Sequence, residues 1–150
     1  DLAVGEFRGV EVTDALSGND DCGQMSAWYM FNCIGFYPVA PSSNMYNIGS
    51  PCVEAITVRM SNGKVIEMVA DNWSPKNVYV KELYVNGKKY DKSYLKYEDI
   101  RDGVKLRFVM SNKPNYKRAV SDEAVAPSLS LPGKTMKYQV NLMKTGISNQ

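Results

Sequence analysis

The residues with the greatest chemical potential sit in one short run, Gly18-Asn19-Asp20-Asp21-Cys22-Gly23-Gln24. Two adjacent carboxylates and an amide there precede a stretch that reads as a helix. Carboxylates so placed can cap it: Asp21 at the N-cap with Gln24 three positions on fits the capping-box pattern, with Asp in place of Ser or Thr. Negative charge also complements the positive end of the helix dipole, by about 0.3–1 kcal/mol. A cap accounts for one Asp, but not for Asn19, Asp20 and Asp21 in succession, because adjacent like charges repel. Something that uses a carboxylate (a cation, a sugar hydroxyl or an activated water) is the competing reading.

Composition removes many other chemistries. The sequence contains no histidine, which excludes Ser-His triads, Cys-His dyads and histidine-ligated metals. Cys22, Cys33 and Cys52 form an odd set without a CxxC spacing, so they indicate neither a disulfide framework nor a zinc site. Any reaction must therefore run on carboxylates, amides, hydroxyls or a hard cation. The net charge is only +2 and the lysines are scattered, which argues against a nucleic-acid partner. Apolar residues at 44% and charged residues at 23% of 150 describe one globular domain with a core. No apolar run approaches the roughly 18–20 residues of a membrane span. The amino terminus lacks a basic-then-apolar signal, and it begins at Asp1 without Met; the expectation is a processed chain or a piece of a longer one.

The elements that must position the acidic run follow. Residues 1–18 are weakly patterned, with Val10, Val12 and Leu16 in a short strand or a frayed segment. Residues 22–34, with Met25, Trp28, Tyr29, Phe31 and Cys33, give a helix apolar around much of its circumference, of the kind buried on most sides. Trp28 and Tyr29 are expected in the core. Gly35 is placed to stop the helix in the left-handed conformation, and Pro38 and Pro41 prevent its resumption.

After Pro51 the period becomes alternating. Residues 55–60 and 64–69 flank Ser61-Asn62-Gly63, and residues 78–85 and 88–90 flank Asn86-Gly87; both read as hairpins. Residues 105–110 form another alternating run, entered through Asp102-Gly103, and residues 136–142 a last strand, after an irregular stretch over 112–133. Strands about every ten residues predict a mainly β fold, an antiparallel β-sandwich with one amino-terminal helix docked to it. Lys88, Lys89, Lys92 and Lys96 read as a solvated edge that guards against strand pairing. Tyr84, Tyr90, Tyr94 and Tyr97 either stack on a sugar or fill cross-strand pairs.

The run from Leu16 to Tyr29, followed by Gly35-Phe36-Tyr37-Pro38-Val39 and Ile48-Gly49-Ser50-Pro51, resembles glycoside hydrolase family 92, exo-acting α-mannosidases that include many bacterial α-1,2-mannosidases. Asn62-Gly63-Lys64, Val85-Asn86-Gly87-Lys88, Tyr94, Asp99-Ile100 and Lys113-Pro114-Asn115 keep the family order. The resemblance implies the carboxy-terminal part of a larger enzyme built from an amino-terminal β-sandwich and an (α/α)6 barrel. Residues 1–37 would then close the barrel region, with the one helix belonging to it, and residues 38–150 would form the accessory sandwich. The absence of an amphipathic helix in residues 1–15 means either that the chain starts inside the barrel or that this region has diverged.

The resemblance further implies a calcium-dependent, inverting hydrolysis of terminal α-linked mannose from an N-glycan or mannan, in the periplasm, at the cell surface or in secreted form. Asp21 looks like the general base, with Asn19, Asp20 and Gln24 supporting it. Some members carry a second Asp where this chain has Asn19, which can orient a water but not share its proton. The general acid, a glutamate, and most calcium contacts belong to earlier parts of the polypeptide, so the remainder of that polypeptide is the expected partner and this chain is expected to hold no calcium by itself. With half the carboxylate pair outside it, the chain is expected to be inactive alone. Its helix would present an apolar face, covered by a second copy or left mobile. The alternative is a non-catalytic carbohydrate-binding or structural β-sandwich in which the acidic run is only a cap.

Overall fold

The computed structural model describes residues 19–40 and 43–127. Two Asn-Gly turns organise most of the chain. In the first, Ser61-Asn62-Gly63 returns strand β3 (Ala55–Arg59) onto β4 (Val65–Asp71), with Arg59 opposite Val65. The Asn62 side chain accepts from the Lys64 amide at 2.9 Å, fixing the turn. In the second, Asn86 and Gly87 both have positive φ, 50° and 78°. That is the geometry whose twist matches two antiparallel strands, here β5 (Tyr79–Val85) and β6 (Lys88–Lys89).

Strand β8 (Val104–Ser111) buries Val104, Leu106, Phe108 and Met110 and exposes the alternate Lys105 and Arg107, as period-2 patterning requires. It lies between the two hairpins in a five-stranded sheet of order β3-β4-β8-β5-β6. The pairing of β8 with β5 is antiparallel, but with β4 it is parallel. The expected antiparallel sandwich holds for the other strand pairs, while this one pair makes the larger sheet mixed: residues 72–103 supply the long crossover that parallel neighbours need.

A second sheet, of order β1-β2-β7, comes from strands too short to show a period: Phe36–Tyr37, Met45–Ile48 and Tyr94–Lys96. A four-residue helix, Tyr97–Ile100, follows β7, with the Asp99 carboxylate accepting from the Lys96 amide. Among the described residues it is a second helix beside the one expected. The two sheets share one core, in which Phe36, Met68, Leu83, Leu95, Leu106 and Phe108 are fully buried. Three of the four lysines occupy edges as anticipated: Lys88 and Lys89 form the outermost strand of the larger sheet, and Lys96 ends the outer strand of the smaller, whereas Lys92 lies half-buried outside the strands, over the Tyr94 ring. Residues 112–127 are irregular, and the expected strand over 136–142 lies outside the described residues, as do Val10, Val12 and Leu16.

Helix α1 (Gln24–Ile34) ends as predicted. Gly35 takes φ 95°, and its amide donates to the carbonyls of Phe31 and Asn32. A side chain there would be strained by that φ and would also meet the Phe108 ring at 3.0 Å. The close approach lets Phe31, Ile34 and Phe36 join the sheet core. The other end of the helix is wetter than its sequence suggests. Cys33 and Ile34 are buried, Trp28 and Tyr29 only half-buried, and Met30 is 46% exposed. Core placement of Trp28 and Tyr29 is thus corrected: one face of the helix meets the sandwich, and these two residues lie at its margin.

Candidate active site

The start of α1 departs from the expected cap. The N-cap is Gly23, not Asp21, and no side chain of the N-cap itself closes the helix. Asp20 does that work from three residues further out. Its Oδ1 accepts from the Ser26 amide at 2.9 Å and from the Ser26 hydroxyl at 2.8 Å, while its carbonyl accepts from the Gly23 and Met25 amides. The expected capping box between Asp21 and Gln24 is replaced because a left-handed turn intervenes. Asp21, Cys22 and Gly23 have φ of 45°, 60° and 94° in succession.

That turn costs free energy. Each non-glycine residue held left-handed is disfavoured by roughly 1–2 kcal/mol, less for Asp, whose short side chain tolerates the region. It persists because Asp20 grips the helix on its far side. The grip also shows electrostatically: the hydroxyl and then the amide of Ser26 hold the Asp20 carboxyl below its ordinary 3.8. Ser26 is a functional neighbour that the motif alone did not single out, although a Ser on the first helical turn is a recognisable signal for such a bond.

The consequence for Asp21 is exposure. Its carboxylate makes no hydrogen bond or ion pair among the described residues, and Asn19 and Gln24 beside it are likewise exposed. One carboxylate is thus committed to structure and its neighbour is presented to solvent on a fixed backbone. Among the described residues no three His, Cys, Asp or Glu side chains group closely enough to hold a metal ion. Among the described residues, Asp21 with Asp20 engaged is a single open donor and not a cation cage.

The tyrosines do not form one face. Tyr94 is buried, and the Tyr90 hydroxyl donates to its carbonyl at 2.8 Å, with burial pushing the Tyr90 phenol up to about 12. Tyr84 donates instead to Glu82 on the sheet, and Tyr97 is exposed on the short helix. Two are therefore packing residues, and the four do not assemble into a stacking platform.

A second polar constellation covers the solvent side of the large sheet. Arg107 pairs with Asp71 at 2.6 Å and lies over the Tyr84 ring at 5.6 Å. Lys105 pairs with Glu67 at 2.9 Å, and Lys89 with Glu82 at 3.4 Å. The Tyr84 hydroxyl, followed by Lys89, holds Glu82 below the usual carboxylate range. Two concave surfaces lined by residues of β4 and β8 lie here, a third lies beside β5 and residues 115–118, and none of these three includes residues 19–24.

The spacing of the cysteines gave no hint of one further contact: Cys33 and Cys52 sulfur atoms lie 2.6 Å apart.

Known proteins bear on this arrangement. A family 92 α-mannosidase of Bacteroides thetaiotaomicron, also solved with mannoimidazole, superposes with a TM-score of 0.81 at 86% identity, over 91% of this chain and 18% of its own. An inverting family 92 mannosidase of B. thetaiotaomicron superposes with a TM-score of 0.74 at 28% identity, over 87% of this chain and 17% of its own. An uncharacterised secreted glycosidase of Arthroderma benhamiae is 30% identical over 122 residues, 79% of this chain and 16% of that protein. The chain thus spans less than a fifth of each relative. Residues 9–112 match the glycosyl hydrolase family 92 catalytic domain. The acidic turn and the sheets that carry it fall within that match, and the chain belongs to this family.

Proposed function

We propose that this chain is the carboxy-terminal part of an inverting α-mannosidase of the α-1,2 type, and that Asp21 is its general base. The observation that carries the reading is the pairing of opposites at the helix mouth: Asp20 is consumed by Ser26, while Asp21 is held left-handed with no partner among the described residues. Backbone outliers cluster at functional sites, and a carboxylate left open to solvent does not serve as the helix cap. The similarity to an inverting mannosidase supports the stereochemical part.

In this scheme the Asp21 carboxylate takes a proton from a water attacking the anomeric carbon of a terminal mannose of an N-glycan or mannan. The departing oxygen is protonated on the other face by a carboxylic acid, about 6.5–9.5 Å away, supplied by the remainder of the polypeptide. Asn19, exposed two residues before the base, orients that water; Gln24 supports it from the first helical turn; Asp20 fixes the turn. Calcium is assigned to residues outside this chain, and no step here runs through it. Residues 1–37 close the barrel region and residues 38–150 form the accessory sandwich. Secretion fits the secreted glycosidase among the relatives.

The test is mannose release from α-1,2-mannobiose in the presence of calcium, by this chain and by the longer enzyme, each with and without Asp21→Asn. The expected result is no release by the chain alone, and a loss of about 10²–10⁴-fold in the longer enzyme on substitution, the usual worth of a general base. Full activity of the substituted enzyme would reduce Asp21 to a structural residue.

A further inference from the structure

We propose that Cys33 and Cys52 form a disulfide that ties the helix carrying the acidic turn to the β-sandwich. Three observations bring them together. Cys33 is on the last turn of α1 and buried, at 3% exposure. Cys52 sits nineteen positions on in the segment between β2 and β3, half-buried, with its sulfur 2.6 Å from that of Cys33. The two backbones are independently held in place: the Gly49 amide donates to the Gly35 carbonyl at 2.9 Å, buried Pro51 lies against Gly35, and the Ser50 hydroxyl donates to the Val78 carbonyl. The meeting of the sulfurs therefore follows from the packing of the helix end and not from a loose side-chain encounter.

The alternatives for such a pair are poorer. No third Cys, His, Asp or Glu joins it among the described residues, so it is not a metal site. The remaining thiol, Cys22, is exposed and precedes the helix. The helix between them rises roughly 14 Å from Gln24 to Cys33, at about 1.5 Å per residue, so Cys22 cannot compete for Cys33 without unwinding α1. Nor is the pair arranged as a reactive thiol. Burial pushes the Cys52 thiol up to about 12, and Tyr29, one turn before Cys33, is a phenol itself raised chiefly by Cys33. No cation among these neighbours favours a thiolate, which separates a structural bridge from a catalytic cysteine.

The oxidant is the disulfide of a dithiol oxidoreductase or of oxidised glutathione. The Cys33 and Cys52 thiols lose two protons and two electrons and gain one sulfur–sulfur bond. The oxidant's bond breaks, and its two sulfurs leave as thiols carrying those protons and electrons. Because Cys52 is a weak nucleophile once buried, exchange is fastest while the helix end is still undocked. The closed loop holds residues 33–52, so the bridge restrains the joint between helix and sandwich.

The experiment is mass spectrometry of the full chain after exposure to oxidised glutathione, unfolded without reductant and alkylated. The expected result is one alkylated thiol, at Cys22, and a cross-linked peptide joining Cys33 to Cys52. Three alkylated thiols, or a cross-link through Cys22, would overturn the proposal. Cys22→Ala leaves both partners in place, should retain the cross-link, and answers the question even if Cys33→Ala or Cys52→Ala fails to fold. Reduction of the Cys22→Ala protein should lower Tm by about 10 °C, from the closure of a loop of this size. A Tm indifferent to reduction would overturn the bracing role.

Discussion

The acidic turn and the charged face of the large sheet are both rich in carboxylates, yet they spend them differently. On the sheet every acid named above has a partner: Asp71 has Arg107, Glu67 has Lys105, and Glu82 has Tyr84 and Lys89. The backbone beneath is regular strand. At the helix mouth one acid is doubly bonded and its neighbour has no partner among the described residues, on a backbone that runs left-handed for three residues. Charge density alone would not distinguish the two regions. What does is satisfaction: cross-strand pairs contribute to the sheet they sit on, whereas an open carboxylate on strained backbone contributes nothing to the fold and is available to a reactant.

The sharpest way to break this contrast is Asp21→Asn in the longer enzyme. Mannose release should fall by about 10²–10⁴-fold, with Tm unchanged, because Asn tolerates the left-handed region as Asp does. Asp21→Val changes the same position by conformation. A β-branched residue at φ 45° should destabilise the chain by about 1–2 kcal/mol in urea unfolding, and an unchanged midpoint would mean that the turn is not strained. Ser26→Ala removes the hydroxyl bond to Asp20. Asp20 has a depressed folded pKa, so its contribution is present above the ordinary value of 3.8 and lost as pH falls through the lower folded value. The substitution should therefore flatten the drop in Tm on acidification below about pH 4, with the larger effect at neutral pH than at pH 2. The smallest effect is expected on the sheet, where Lys105→Ala deletes an ion pair whose lysine is 76% exposed. Stability should move by no more than about 0.5 kcal/mol and activity not at all.

Legibility in the sequence followed the range of the interactions. Both Asn-Gly hairpins and the Gly35 stop are local events, set by residues within a turn of each other, and they appear where the sequence places them. The family resemblance is carried by short blocks, the acidic run first among them, and by their order from Leu16 to Asn115. The start of α1 misled because Asp21 matches a cap by type and spacing, while the actual bond reaches six residues, from Asp20 to Ser26. The small sheet could not be seen, since strands of two to four residues have no readable period and Met45–Ile48 meets Tyr94–Lys96 across almost fifty residues. The parallel register of β4 with β8 and the contact of Cys33 with Cys52 are similarly products of tertiary packing.

The position of β8 has a consequence for synthesis. Among the described residues it is the last strand of the large sheet in chain order, yet it occupies the middle, with Ile66 opposite Val104 on one side and Leu83 opposite Phe108 on the other. A ribosome that has delivered both hairpins has delivered two ribbons with no hydrogen bond between them, each stable at best marginally in isolation. Until residue 111 emerges, the inner edges of β4 and β5 are open templates for a neighbouring nascent chain. The arrival of one eight-residue strand then seals both edges at once, so cooperative closure of this sheet awaits its completion.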